Sequence, residues 1–382
     1  MEGLLNTIRE ESSVCAGDHI AFFLPLLSGG GAERVMLNLA AGFVEKGVKV
    51  DFVLAKAAGP YLDQLPKEAR LVDLDSSGVL TSLPGLIRYL RKERPVALIS
   101  ALDHANVVAI WAKLLARAGT RSVVTLHNTI SEKRKLASKV SKASIVPFLI
   151  RLFFPLADSI IAVSNGVAED YAQVAGLDSG KIQVIYNPVI TNSLLDRSNE
   201  PLDHPWFCSG EPPVILSVGR LTAQKNFSGL IEAFSQVRKS VSARLLILGE
   251  GELRADLEEL VERLNLKDEV SLPGFVNNPY KYMKQAAVYA LSSSWEGLPT
   301  VLIEALAVEL PVVATNCKSG PYEILRGGKL GKLVPVGDIP ELADGIAECL
   351  SDKKSFVTMD ALEPFTQEWA VKEYLSVARG GL

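Results

Sequence analysis

Short apolar runs alternate with stretches whose apolar residues recur at helical spacing, and the alternation persists almost throughout the chain. The runs His19–Leu24, Lys49–Leu54, Ala97–Ala101, Ser122–His127, Ser159–Val163 and Gln183–Tyr186 read as strands. A second series follows at Val214–Val218, Ala243–Leu248, Val270–Pro273, Val288–Leu291, Pro311–Thr315 and Gly331–Val334. Strands without an alternating polar face, separated by helices, predict parallel sheets covered on both sides. Two series of about six strands predict two Rossmann-like domains.

The first helix illustrates the reading. After His19–Leu24 come Ser28, Gly29, Gly30 and Gly31, then Val35, Met36, Leu39, Ala40 and Phe43 at helical spacing, with Gly47 as a stop. Between the two series, Asn187 to Pro213 is rich in Pro, Asn, Asp and Ser and lacks periodicity. The expected division is an N-terminal domain over 1–192, a linker at 193–212, a C-terminal domain over 213–360, and a last helix in 361–382 that packs back on the N-terminal domain.

The chain of 382 residues can bury two cores, and 48% hydrophobic with 22% charged residues is a globular composition. Residues 1–190 carry 21 basic against 18 acidic residues, and the remainder 19 against 26. A mildly basic first half suits a lipid or phosphate partner, or simply a solvated surface. Cys15, Cys208, Cys317 and Cys349 are scattered without C-x-x-C spacing, which fits a reducing cytosol. Met1 to Asp18 lacks the basic and apolar blocks of a signal peptide, and no apolar run approaches the roughly 20 residues of a membrane span. The expectation is a cytoplasmic protein, or one that touches the inner face of a membrane from outside the bilayer.

Candidate chemistry centres on Glu296 and Glu304. Pro299 suits a first helical turn, so Glu296 falls in the loop before a helix and Glu304 inside it. A loop carboxylate can accept two hydroxyl hydrogens of a polyol, and the helical one can reach a second polyol. Between them, the amides of Gly297, Leu298 and Thr300 suit an anion. That order matches the sugar, diphosphate and ribose of a nucleotide-sugar. Arg220 and Lys225, after the strand Val214–Val218, suit a diphosphate leaving group, or else a solvated loop. The triple glycine before Arg34 reads either as a phosphate approach or as a plain tight turn. Asp73 and Asp75 spell D-x-D, but they end the alternating stretch 69–74 with no ligand cluster beside them, and read as a polar strand end. Asp103 and His104 follow a strand and face either an acceptor or nothing in particular.

Gly219, Arg220, Lys225, Asn226, Gly249, Gly251, Pro273, Gly274, Phe275, Glu296, Glu304 and Ser319 through Glu323 together resemble the donor half of a retaining glycosyltransferase. The resemblance is to the GT-B superfamily, specifically family four, also termed glycosyltransferase group 1. Gly30 through Arg34, Leu126 through Asn128, Val163, Ser164, Asn187 and Pro188 extend it over the acceptor half. It implies an α/β fold of two Rossmann-like domains facing each other across a cleft. It also implies that Glu296 binds hydroxyls of the transferred sugar and that Glu304 binds the ribose. Arg220 and Lys225 would neutralise the diphosphate without a metal, and His127 would position the sugar ring, although a lone His is more often structural. Gly30, Gly31, Gly249, Phe275, Gly297, Leu298, Pro299 and Thr300 complete the implied donor site. No cofactor is implied beyond the co-substrate. Ser319 through Glu323 resembles enzymes with UDP-linked galactose-type or N-acetylhexosamine donors.

Lys133, Arg134, Lys135, Lys139 and Lys142, followed by apolar residues through Phe154, form a basic, partly amphipathic segment. It makes an anionic membrane surface a candidate partner and a lipid-linked saccharide a candidate acceptor, or else reads as an exposed loop leading to a buried helix. Nucleic acid is not an expected partner. The alternatives are a GT-B relative with other chemistry, such as an epimerase or phosphorylase, and a non-catalytic sugar-nucleotide-binding assembly subunit.

Overall fold

The computed structural model describes residues 17–131, 146–352 and 359–381. They form two parallel sheets. The first comprises β1 (His19–Leu24), β2 (Lys49–Leu54), β3 (Arg70–Asp73), β4 (Ala97–Ala101), β5 (Arg121–Leu126), β6 (Ser159–Ala162) and β7 (Ile182–Val184), in the order β3-β2-β1-β4-β5-β6-β7. The second comprises β8 (Val214–Val218), β9 (Arg244–Leu248), β10 (Val270–Gly274), β11 (Val288–Leu291), β12 (Val312–Thr315) and β13 (Lys332–Val334), in the order β10-β9-β8-β11-β12-β13. In each sheet the chain winds outward in one direction, then jumps back past its first strand. That reversal falls between β1 and β4, and between β8 and β11, and open parallel sheets bind ligands beyond the carboxyl ends of such neighbouring strands.

The apolar runs are continuous because helices cover both faces. Along β1, Ile20, Phe22 and Leu24 enter the core beneath the helices Gly31–Glu45 and Gln367–Arg379. Ala21 and Phe23 enter the opposite core, beneath Leu83–Glu93 and Asp103–Ala116. The side-chain period of two thus divides one strand between two cores. Phe22 stacks on Phe52 of β2 with ring centroids 5.1 Å apart. The stretch 69–74 supplies a strand that the apolar series omits. β3 lies at the sheet edge with one neighbour and leaves Arg70, Leu71 and Asp73 exposed, so it carries no continuous apolar run. Asp73 closes that strand, its Oδ1 accepting from the amides of Ala57 and Asp75.

The chain divides into two units. One holds the residues up to Val163, Ala168–Pro188 and those from Gln367 on; the other holds Ser164–Val167 and Val189–Thr366. The expected linker at 193–212 is not one. Asn192–Ser198 is a helix capped by Thr191, and Arg197 and Glu200 bond Asn278 in the second unit. The ring of His204 meets those of Trp206, Phe207 and Tyr282 edge-on, at centroid distances between 5.5 and 6.1 Å. These aperiodic residues are ordered by aromatic packing and side-chain bonds, which leave no hydrophobic period to read. The last helix begins at Gln367 rather than near 361, and Gln367 Nε2 donates to Asn38 O at 2.6 Å in the first unit.

A buried carboxylate ties three strands and a helix of the first unit. Asp51 in β2 is fully buried and accepts from Tyr89 Oη at 2.6 Å and Arg70 Nε at 2.9 Å, with His19 Nε2 at 2.8 Å. Burial alone would raise its pKa, but the bonds from His19, Arg70 and Tyr89 outweigh it and hold Asp51 far below the usual carboxylate range. Its stabilisation is therefore full above the ordinary carboxylate pKa and is lost as pH falls below it. Asp51→Ala should lower stability by about 3 kcal/mol at neutral pH, the low end for a broken buried pair because Arg70 keeps Glu93 and water. The deficit should shrink toward pH 2 in denaturant titrations; one that persists undiminished in acid would contradict the assignment.

Candidate active site

In the second unit, the loops leaving β8 and β11 meet where the strand order reverses. The β8 loop carries Gly219 through Asn226, and Asn226 caps the helix Phe227–Val237. The β11 loop carries Ser292 through Pro299 into the helix Thr300–Ala307. Backbone and side chain lash the two loops together. Ser294 N donates to Gln224 O at 2.8 Å, Gln224 Nε2 to Trp295 O at 3.0 Å, and Ser292 Oγ to Lys225 O at 2.8 Å.

At the centre of this lashing, Lys225 Nζ lies 2.6 Å from Glu296 Oε1. Only 15% of the lysine side chain and 7% of the glutamate side chain are exposed, so water screens the pair little. Ser293 Oγ donates to the same Oε1 at 2.7 Å, and Thr315 Oγ1 fixes Ser293 through its carbonyl at 2.6 Å. Glu296 Oε2 receives only a long bond from Gln224 Nε2, at 3.3 Å. A carboxylate offers about four acceptor directions, so Oε2 retains capacity for a ligand hydroxyl. The expectation that Lys225 serves the diphosphate thus gains a second partner that spacing did not reveal. Arg220 differs: its side chain is exposed and makes no hydrogen bond or ion pair among the described residues.

Pro299 is the residue before the helix rather than its first turn, with φ −69° and ψ 96°, and Glu304 is half-buried in the helix's second turn. The amides of Gly297, Leu298 and Thr300 donate to no other group among the described residues. Gly297 O, by contrast, accepts from Ser319 Oγ at 2.7 Å and Ser164 Oγ at 3.1 Å, which pins the peptide with its carbonyl turned away. Burial foremost, with the charges of Glu304 and Glu296, pushes the Tyr289 hydroxyl far above its ordinary pKa. Burial, helped by Glu296, also pushes the Cys317 thiol up to about 12, which keeps it protonated and poorly nucleophilic at neutral pH.

Gly249 follows β9 with φ +148°, and a Cβ there would sit 1.9 Å from Gly219 O, so only glycine lets these two loops run together. Phe275, after β10, holds its ring 76% exposed. Lys225, Glu296, Glu304, Gly249 and the three amides therefore belong to one end of the second sheet.

Gly30, Gly31 and His127 belong to the first unit. Gly31 begins the helix Gly31–Glu45. Beside Gly30 lies the buried Glu33 carboxylate, which accepts from Ser28 Oγ at 2.6 Å, while the Cβ position of Gly31 meets nothing. Asp103 opens its helix and accepts from the Tyr171 hydroxyl; Leu102 before it has φ +76°, a strained value for a side-chain-bearing residue. His127 Nε2 lies 2.9 Å from Thr125 Oγ1, and that hydroxyl gives its one hydrogen to Ser100 O at 2.8 Å. The imidazole must then donate through Nε2, so in the neutral ring Nδ1 carries no hydrogen. Thr125 and Ser293 escaped the sequence reading. The signal for Thr125 was its place two residues before His127, on the same face of the strand.

Similarity to known proteins completes the picture. The Anabaena protein HepE, solved with UDP and glucose, superimposes with a TM-score of 0.74 at 21% identity, covering 94% of this chain and 98% of that one. The galactosyltransferase WaaB of the lipopolysaccharide outer core gives 0.69 at 20% identity, with 94% and 98% covered. These are GT-B proteins, and this chain shares that fold. Residues 29–193 match Glycosyltransferase Family 4, and residues 202–361 match the group 1 glycosyl transferases. A Campylobacter jejuni enzyme that adds N-acetylgalactosamine to a diphospho-undecaprenol-linked saccharide is 30% identical, with 88% of this chain and 91% of that one covered. The Rhizobium meliloti lipopolysaccharide core glycosyltransferase LpsE is 27% identical, with 85% and 86% covered. The chain belongs to the group 1 glycosyltransferases.

The tautomer of His127 gives the test of this geometry. Nitrogen NMR of the wild-type protein should find hydrogen on Nε2, and Thr125→Val should shift the ring toward a mixture while Thr125→Ser preserves it. A wild-type ring with hydrogen on Nδ1 would contradict the bond pattern.

Proposed function

We propose that the protein transfers an N-acetylhexosamine or hexose from a UDP-sugar to a lipid-linked saccharide, at the inner face of a membrane, with retention of anomeric configuration and without a metal. The observation that carries the reading is the Lys225–Glu296 contact beside the open amides of Gly297, Leu298 and Thr300. A sugar hydroxyl would be held by Glu296 Oε2 and the ribose by Glu304. The diphosphate would lie against the amides, Arg220 and Lys225. An ammonium has three donors, so Lys225 can keep Glu296 and still serve a phosphate oxygen. The same lysine would then hold both sides of the bond being broken. Phe275 and the loop at Gly249 would border the nucleotide, with Gly30 and Gly31 nearing its phosphates.

Retention without a side-chain nucleophile requires the acceptor to attack from the face the diphosphate leaves, a phosphate oxygen taking the acceptor's proton. The electron pair of the broken bond stays on the diphosphate. The fixed charges of Arg220 and Lys225 would stabilise it there, with His127 orienting the ring. Support for the acceptor comes from the two Campylobacter jejuni relatives, whose substrates are diphospho-undecaprenol-linked saccharides receiving α-linked N-acetylgalactosamine.

Thermal-shift screening of UDP-, GDP- and ADP-sugars in EDTA should give a shift for UDP-sugars. Transfer to a diphospho-undecaprenol-linked saccharide should proceed in the same chelator and yield an α product from an α donor by NMR. Glu296→Ala should lower turnover on the order of a hundredfold while leaving UDP affinity nearly unchanged. Lys225→Ala should weaken both. Equal losses of UDP affinity in the two variants, or activity that appears only with a divalent ion, would contradict the reading.

A further inference from the structure

The cationic run at Lys133 through Lys142 lies outside the described residues, but the helix after it does not. Val146–Phe153 packs one side inward: Ile150 and the following Phe154 are fully buried, and Phe153 meets Trp111 edge-on with centroids 5.0 Å apart. The other side faces solvent, although it too is apolar. Phe148, Leu152 and Leu156 recur at intervals of four residues and share one face as far as the helix extends. The neighbouring helix Asp103–Ala116, against which this one packs, adds exposed Leu114 and Leu115. All five are between 42% and 64% exposed. Most other exposed large apolar residues are single, which is ordinary; five on two packed elements are not.

The charges beside these side chains select the occupant. Arg151 lies in the same turn as Leu152, Arg117 follows Leu115, and both are exposed with no ion pair among the described residues. The nearby carboxylate of Asp158 is taken up by Lys113 at 3.0 Å. An apolar ridge rimmed by unpaired cations matches the boundary between acyl chains and anionic headgroups better than a protein core, which would leave the arginines buried or in need of acids. No helix among the described residues is long and apolar enough to cross a membrane, so contact here would lie in the interface plane.

We infer that Phe148, Leu152 and Leu156, with Leu114 and Leu115, form a surface that inserts shallowly into an anionic bilayer, with Arg117 and Arg151 at the headgroups. The inference deepens the proposed lipid-linked acceptor by naming the face that meets the membrane. It rests on that reading only for its biological purpose, because binding to vesicles is measurable without any acceptor.

The full chain should sediment with vesicles of phosphatidylglycerol and phosphatidylcholine, and far less with phosphatidylcholine alone. The double variant Phe148→Ser, Leu152→Ser should lose at least about tenfold in partitioning, as expected for withdrawing one large apolar side chain or more from lipid. Arg151→Glu should weaken binding to the anionic vesicles alone. Because all three side chains are exposed, melting temperature should hold, and UDP-sugar hydrolysis in detergent-free buffer should be unchanged. Three results would overturn the inference: no sedimentation of the wild type with anionic vesicles, undiminished binding of the double variant, or conversion of a dimer to a monomer by that variant. The last would make a second copy of the chain the occupant. Failure of transfer to a lipid-linked acceptor, with vesicle binding intact, would instead count against the proposed function and leave this surface standing.

Discussion

The second unit is organised around one contact, the ammonium of Lys225 against the carboxylate of Glu296. Removing both charges from water is unfavourable, and their attraction offsets this only with good geometry and satisfied neighbours. The sequence supplies both. Ser293 takes up one further direction on Oε1, and Gln224 braces Oε2 while also binding the backbone of Trp295. The pair can form only because β8 and β11 are neighbours, and they are neighbours only because the strand order reverses there. Topology thus brings together two residues separated by 71 positions, and the chemistry follows from that adjacency.

Around the pair, short side chains and glycines do the positioning. Ser319 and Ser164 hold the Gly297 carbonyl, so the amides on the other side of the chain point away from these bonds. Gly249 lets the β9 loop press against Gly219, and Gly249 N closes onto Gly274 O at 2.8 Å. Three loops are therefore stitched at the backbone before any ligand arrives. In the proposed reaction such preorganisation would matter, because the charge of a diphosphate is best met by donors already aimed at it rather than by donors that reorient. Arg220 is the exception, exposed and without an ion pair among the described residues.

What the amino-acid order made legible was what repeats or what carries a rigid local rule. Central strands showed as apolar runs because helices cover both of their faces. Glu296 and Glu304 showed because Pro299 marks a helix boundary between them. β3 was harder, since this edge strand is short, mostly exposed and without a continuous apolar run, Leu71 included. Residues 193–212 were read as a linker because their order comes from long-range aromatic contacts, such as His204 with Tyr282, which leave no period in the sequence. The Lys225–Glu296 bond was equally hidden. Each residue was assigned its own ligand, whereas burial makes them each other's first partner.

The first unit obeys the same logic with neutral groups. Ser100 Oγ donates to Asn106 Oδ1, Asn106 Nδ2 donates to Thr125 O, and Thr125 Oγ1 returns its hydrogen to Ser100 O. This ring of bonds is buried and uses the one hydrogen of the Thr125 hydroxyl, so Thr125 Oγ1 can serve His127 only as an acceptor. His127 Nε2 fills that place at 2.9 Å, and the ring is held at the carboxyl end of β5. The Thr125 hydroxyl thus fixes the orientation of the His127 ring.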